Sequence, residues 1–197
     1  MAEDKLTFAA IVLVAIVAIV GLIGFMGPGL TGFVARTGTL GVTFAGSADI
    51  ILTDAATSFG SGYVNASAAS AVIDSNGTKT SWINTTAFPA TDYMTLENNG
   101  STLVNVTIQA GSSAATFIGG TGPAMSFYGK TAESGACSGT LVTAYTTLSE
   151  ASATVICPKL EYLDTKDNFD IGYALTIPVD VVQGAKSNTI TFTAIAQ

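Results

Sequence analysis

Asp164, Asp167, Asn168 and Asp170 place four oxygen-bearing side chains within seven residues, and such a cluster is the raw material of a calcium site. The run D-T-K-D-N-F-D is not an EF-hand loop, because it has neither the central glycine of the sharp turn nor the closing glutamate. Its other reading is a solvated acidic turn. Fourteen Asp and Glu side chains could supply the paired carboxylates of glycoside chemistry, but nothing in their spacing selects two. The chain has no histidine, so the commonest general base and the commonest transition-metal ligand are both missing. Most hydrolase and zinc chemistry goes with them, and no catalytic, metal or cofactor residue is assigned. Cys137 and Cys157 enclose 19 residues and have no second Cys pair or His to make a metal site. They form either a disulfide, the expected state in an oxidising exterior, or two buried thiols.

Five Asn-x-Ser/Thr triplets begin at Asn65, Asn76, Asn84, Asn99 and Asn105. With eight Asn and 44 Ser or Thr in 197 residues, roughly two such triplets would arise by chance. Two readings stand. Asn and Thr fill turns and strands here, or the triplets are N-glycosylation acceptors that place this part of the chain outside the cell and keep a charge-poor surface solvated. Charged residues are only 11% of the chain, against about a quarter in an ordinary soluble domain. The net charge of −7, with seven scattered cations, excludes nucleic acid as a partner.

The elements that carry these residues divide at Gly27-Pro28-Gly29. Before it, Leu6 to Met26 is a run of 21 residues without a charge, about 31 Å as a helix and enough to cross a bilayer core. It is longer than the apolar run of a signal peptide and follows Glu3, Asp4 and Lys5 instead of a basic start, which favours a retained helix over a cleaved leader. Ala15, Ala18, Gly21, Gly24 and Gly27 form a slowly drifting stripe of small residues along it. Such residues let neighbouring helices approach closely. The alternative is a lone anchor in which Ala and Gly merely dilute the hydrophobicity.

After the break, short alternating runs separated by turn residues predict strands. They fall at Thr39–Phe44, Asp49–Thr53, Tyr93–Glu97, Thr102–Gln109, Thr140–Tyr145 and Thr189–Ile195. In TLVNVTIQ, Val104, Val106 and Ile108 make an apolar face opposite Leu103, Asn105, Thr107 and Gln109. Asn98-Asn99-Gly100 predicts a tight hairpin that pairs the strands on either side of it. Residues 156–170 are the least strand-like part. The expectation is a helical segment over residues 1–29 and one antiparallel β-sandwich over 30–197.

This architecture resembles archaeal type IV pilin-like filament subunits, including archaellins. The resemblance rests on the apolar segment LTFAAIVLVAIVAIVGLIGF, the Thr-rich β-domain joined directly to it, and the glycosylation triplets. Residues 174–194, ALTIPVDVVQGAKSNTITFTA, look like the last hairpin of archaeal surface β-sandwich proteins. The resemblance implies an immunoglobulin-like sandwich, covalently attached glycans, and a homopolymer built through the N-terminal helices, which sit in the membrane before assembly. In many pilins an acid at the fifth position meets the terminal amine of a neighbour. Here that position is Lys5, and the role passes to Glu3 or Asp4. The rival readings are a single-span anchored sandwich that binds a partner or forms an envelope layer, and an extracellular enzyme using carboxylates.

Overall fold

A computed structural model describes residues 46–197. The helix expected over 1–29, its stripe Ala15, Ala18, Gly21, Gly24 and Gly27, the acids Glu3 and Asp4, and the strand expected at Thr39–Phe44 all lie outside the described residues. The described part is all-β and antiparallel. Its strands are β1 (Ile51–Asp54), β2 (Gly62–Val64), β3 (Ser70–Asp74), β4 (Lys79–Thr80), β5 (Trp82–Asn84), β6 (Met94–Glu97), β7 (Val104–Ala110), β8 (Ala124–Thr131), β9 (Thr146–Thr147), β10 (Thr154–Leu160), β11 (Asn168–Pro178) and β12 (Ile190–Ala196). One helical turn, α1 (Ala114–Phe117), is capped by the Ser113 hydroxyl, which accepts from the Thr116 N–H.

Two sheets enclose the core. β7 is the centre of a three-stranded sheet between β10 and β12, and β11 is the centre of a seven-stranded sheet with β1, β3, β4, β6, β8 and β9. β2 and β5 form a separate pair. The alternation read in the sequence sorts the side chains as expected: Val104, Val106 and Ile108 are fully buried, while Asn105, Thr107 and Gln109 are half-exposed on the other face. They share one core with Leu96, Phe127, Phe169 and Ile171 of the larger sheet. Each such burial stabilises by about 1.5–3 kcal/mol.

The connections differ from the expectation. β6, β7, β8, β10, β11 and β12 fall alternately in the larger and the smaller sheet, so each link between them carries the chain across the core. The hairpin expected at Asn98-Asn99-Gly100 is therefore a crossover from β6 to β7. None of these three residues has a positive φ, which a type I′ turn requires. Instead the buried Asn98 side chain knots the corner: its amide nitrogen donates to the carbonyls of Thr102 at 2.9 Å, Glu161 at 3.0 Å and Leu160 at 3.3 Å, and its oxygen accepts from the Gly100 N–H at 3.0 Å. Residues 174–194 are likewise no hairpin, since β11 and β12 belong to different sheets. Most of β10 and the start of β11 occupy residues 156–170, where no strand was expected. Cys157, Pro158 and Lys159 break the alternation there, and the β10 register shifts twice against β7.

Residues 140–145 read as a strand but form a strap over one side of the sandwich. Val142 accepts from the Gly129 N–H of β8 at 2.6 Å and donates to the Ile156 carbonyl of β10 at 3.0 Å, tying one sheet to the other. The disulfide Cys137–Cys157 pins the start of this strap to β10.

Two outcomes follow for stability. Asn98→Ala strands buried carbonyls at the corner and lowers the unfolding free energy by about 2–4 kcal/mol; Asn98→Asp is worse, because it turns an oxygen toward three carbonyls. Denaturant unfolding of both variants checks the order. The paired change Cys137→Ser and Cys157→Ser removes about 3 kcal/mol, and wild type unfolded with a thiol reductant present matches it.

Candidate functional site

The outer face of the larger sheet holds the densest polar construction among the described residues. It begins with a backbone problem. One edge of β11 pairs with β6 through Ile171 and with β3 from Ala174 onward, so a gap opens at Gly172 and Tyr173. Ser75 closes it: its N–H donates to the Tyr173 carbonyl at 2.9 Å, and its hydroxyl accepts from the Tyr173 N–H at 2.9 Å. Ser75 stands there because β3 ends in a tight turn, D-S-N-G-T, leading to β4. The Gly77 N–H donates to the Asp74 carbonyl at 3.0 Å. Gly77 has φ +87°, and a Cβ on it would run into the Ala90 carbonyl, so glycine is required twice over.

Asp74 is the anchor of this turn. Its carboxylate, 3% exposed, accepts from the Asn76 N–H at 2.8 Å, from the Tyr128 hydroxyl at 2.9 Å and from the Tyr145 hydroxyl. Tyr128 reaches it by lying across Gly172, its cross-strand partner, where any side chain would collide with the ring. Tyr93 and Tyr145 pack edge-on against Tyr128, at centroid distances of 6.4 and 4.9 Å, and the Lys130 ammonium sits 4.4 Å from the Tyr93 ring centre. Burial pushes the Tyr128 hydroxyl well above its usual range, and the Asp74 charge adds to this. The bond to Asp74, then burial, pushes Tyr145 up to about 12. Tyr145 nevertheless stays 58% exposed as a residue. Its ring walls a dish of about 310 Å³ whose other residues include Ala124, Ser126, Ala174, Thr176 and Thr78.

The five candidate acceptors fall into different settings. Asn65 and Asn76 lie in turns with the side-chain oxygen held by the hydroxyl two residues on, from Ser67 at 3.0 Å and from Thr78 at 2.7 Å. Asn99 is exposed at the crossover, and its amide donates to Asp49 at 3.0 Å. Asn84 lies in β5 with its side-chain oxygen buried and without a hydrogen-bond partner among the described residues. Asn105 stands in β7 opposite Ile195, on the outer face of the smaller sheet. Cys137 and Cys157 are joined, as expected from the sequence.

The acidic residues of 164–170 diverge. Asp170 accepts from the Thr95 hydroxyl at 2.9 Å, while Asp167 is buried with its N–H donating to Glu133 at 3.0 Å. Burial, then the charges of Glu97 and Glu133, holds the Asp167 carboxyl above its usual range. No group of three or more His, Cys, Asp or Glu among the described residues is arranged to hold a metal.

Trp82 is half-buried in β5 and lines a groove of about 1000 Å³ with Phe59, Tyr63, Met94, Tyr173 and Ile190. Three buried polar atoms on the groove's lining residues, Thr57 Oγ1, Trp82 Nε1 and Asn188 Oδ1, have no hydrogen-bond partner among the described residues. No helix among the described residues is long and apolar enough to cross a membrane. Sequence reasoning missed Asp74, Tyr128, Tyr145 and Gly172. Asp74 and Tyr145 stand 71 positions apart, and only the β3–β11–β8 register brings them together. The one local signal was Asn-Gly between two alternating runs. Comparison of the chain with protein-family models, with curated proteins and with solved structures finds no match.

A tyrosine titration followed by near-ultraviolet absorbance finds Tyr145 ionising near 12, and Asp74→Asn returns it toward the ordinary value of about 10. The folded value lies above the unfolded one, so this contribution to stability is complete below about pH 10 and is lost as the pH rises toward 12. Unfolding midpoints across that window fall in wild type and fall less in Asp74→Asn.

Proposed function

We propose that this chain is a structural subunit of an archaeal extracellular filament of the type IV pilus or archaellum kind, assembled through its N-terminal helices and serving adhesion or motility without catalysis. The observation that carries the reading is the uncharged run Leu6–Met26 joined directly to a β-domain with five glycosylation triplets. At about 25 cal/mol per Å² of apolar surface, such a helix is driven out of water into lipid or among its own copies. Assembly exchanges the first for the second. The stripe Ala15, Ala18, Gly21, Gly24 and Gly27 lets the backbones approach in the bundle, where dispersion and close packing replace lipid contacts. Glu3 or Asp4 meets the terminal amine of a neighbour. The β-domain, an immunoglobulin-like sandwich in this reading, faces the exterior.

Three features of the described residues support it. The domain carries a disulfide, as exterior proteins do. Two of the triplets, at Asn65 and Asn76, sit in turns. Its two sheets are tied to each other through the 140–145 strap and the disulfide beside it, which suits a head carried on a polymer.

Electron microscopy of the native protein decides the matter. Filaments with a helical core are expected, and Gly21→Leu with Gly24→Leu abolishes them while leaving membrane insertion intact. Single particles in detergent, indifferent to both substitutions, would instead establish a single-span anchored surface protein.

A further inference from the structure

We propose that Asn76 carries a covalently attached glycan and that the dish beside it, walled by the Tyr145 ring, is the seat of that glycan's first sugar rings. This rests on the exterior, glycosylated reading of the β-domain and is independent of whether the chain polymerises.

Asn76 shares with Asn65 a side-chain oxygen held by the residue two positions on, and it alone of the two sits on the turn anchored by Asp74 beside the dish. Its side-chain oxygen is taken up by the Thr78 N–H at 2.8 Å and hydroxyl at 2.7 Å, so the amide nitrogen is the end left to react. The turn that presents it is held at both ends, by Asp74 and by the glycine-only conformation at Gly77. The Asn76 backbone N–H and the Tyr145 hydroxyl are bonded to the same Asp74 carboxylate, and Thr78, which holds the Asn76 side chain, lines the dish. A sugar on Asn76 therefore starts beside the Tyr145 ring.

Asp74 and Tyr128 fix that ring, and much of the residue is left facing solvent. Its hydroxyl is fixed on a buried carboxylate while 58% of the residue faces solvent, an ordering cost with little burial in return. A pyranose has one face of C–H bonds, which packs on an aromatic face, and a rim of hydroxyls, which needs polar partners. The dish supplies both: the Tyr145 ring and the methyls of Ala124 and Ala174, beside the hydroxyls of Ser126, Thr176 and Thr78. At about 310 Å³ it stands at the small end of ligand pockets, suited to the base of an oligosaccharide and too shallow to hold a free one well. Covalent attachment supplies the high effective concentration that makes so weak a seat occupied.

The transfer itself is performed by an enzyme from a glycosyl phosphate donor. A bond forms between Asn76 Nδ2 and the anomeric carbon, the bond from that carbon to the phosphate oxygen breaks, the phosphate leaves with the electron pair, and Nδ2 gives up one proton.

Glycopeptide mapping of the native protein, combined with a thermal double-mutant cycle, tests both halves. The peptide containing Asn76 is expected to carry the sugar mass at higher occupancy than the one containing Asn84. Removing the glycan lowers the melting midpoint more in wild type than in Tyr145→Leu. Glycan removal is made by Asn76→Gln and separately by Asn76→Asp, which keeps the oxygen bonded to Thr78 and so keeps the turn. A bare Asn76 peptide beside other occupied triplets overturns the proposal and leaves exterior glycosylation standing. Full occupancy with strictly additive midpoints overturns the seat. If no triplet carries sugar, the proposal and the glycoprotein reading both fall, and electron microscopy alone still decides on the filament.

Discussion

The fold depends on how one strand satisfies its backbone. β11 runs through the middle of the larger sheet with β8 along one edge, while its other edge is shared between β6 and β3. Where the partners change, the N–H and C=O of Tyr173 would be left buried and unpaired, at about 1–3 kcal/mol each. Ser75 takes both. That single residue welds two short strands into one edge and sets where the D-S-N-G-T turn stands. From this weld follow the burial of Asp74, the crossing of Tyr128 over Gly172, and the presentation of Asn76.

Period-two alternation tells which face of a strand meets the core, and it was legible in TLVNVTIQ because the solvent face is Asn, Thr and Gln. It is silent on which sheet a strand joins. The chain uses that freedom throughout, crossing the core at every link between its long strands, so the turn residues at 98–100 close no hairpin. The distinction between the two Asn-Gly turns is physical. Gly77 takes a positive φ and turns β3 back on β4; at 98–100 no residue does, and Asn98 spends its side chain on carbonyls of another segment. Only the tertiary neighbours of Asn98 reveal this, and they lie more than sixty residues away.

The same reason hides the tyrosine cluster. Tyr93, Tyr128 and Tyr145 come from separate segments, and each alone reads as an ordinary strand aromatic. Two tyrosine hydroxyls and a backbone N–H let a carboxylate stay buried with no cation paired to it among the described residues. In a chain with seven Lys and Arg, hydroxyl groups do the work that salt bridges do elsewhere. A topology of crossings also postpones most native contacts until distant segments meet, which makes folding slow; a disulfide and a strap that tie the sheets together suit a domain that must not reopen afterwards.

The shortage of charge bears on the proposed polymer. A subunit with a net charge of −7 that packs beside copies of itself accumulates like charge along the polymer, and self-repulsion grows with each surface carboxylate that is added. A surface wetted by Ser, Thr and Asn escapes that growth, because hydroxyls and amides bind water without a field that reaches the next subunit. Such a surface risks sticking indiscriminately, since it also lacks the repulsion that keeps ordinary proteins apart. Bulky neutral sugars on rigid turns would restore the separation by steric means while leaving the bundle contacts free. In the proposed filament, a charge-poor exterior, self-associating N-terminal segments and covalent glycans would be linked solutions to one problem: how identical subunits can attract one another at one end and not at the other.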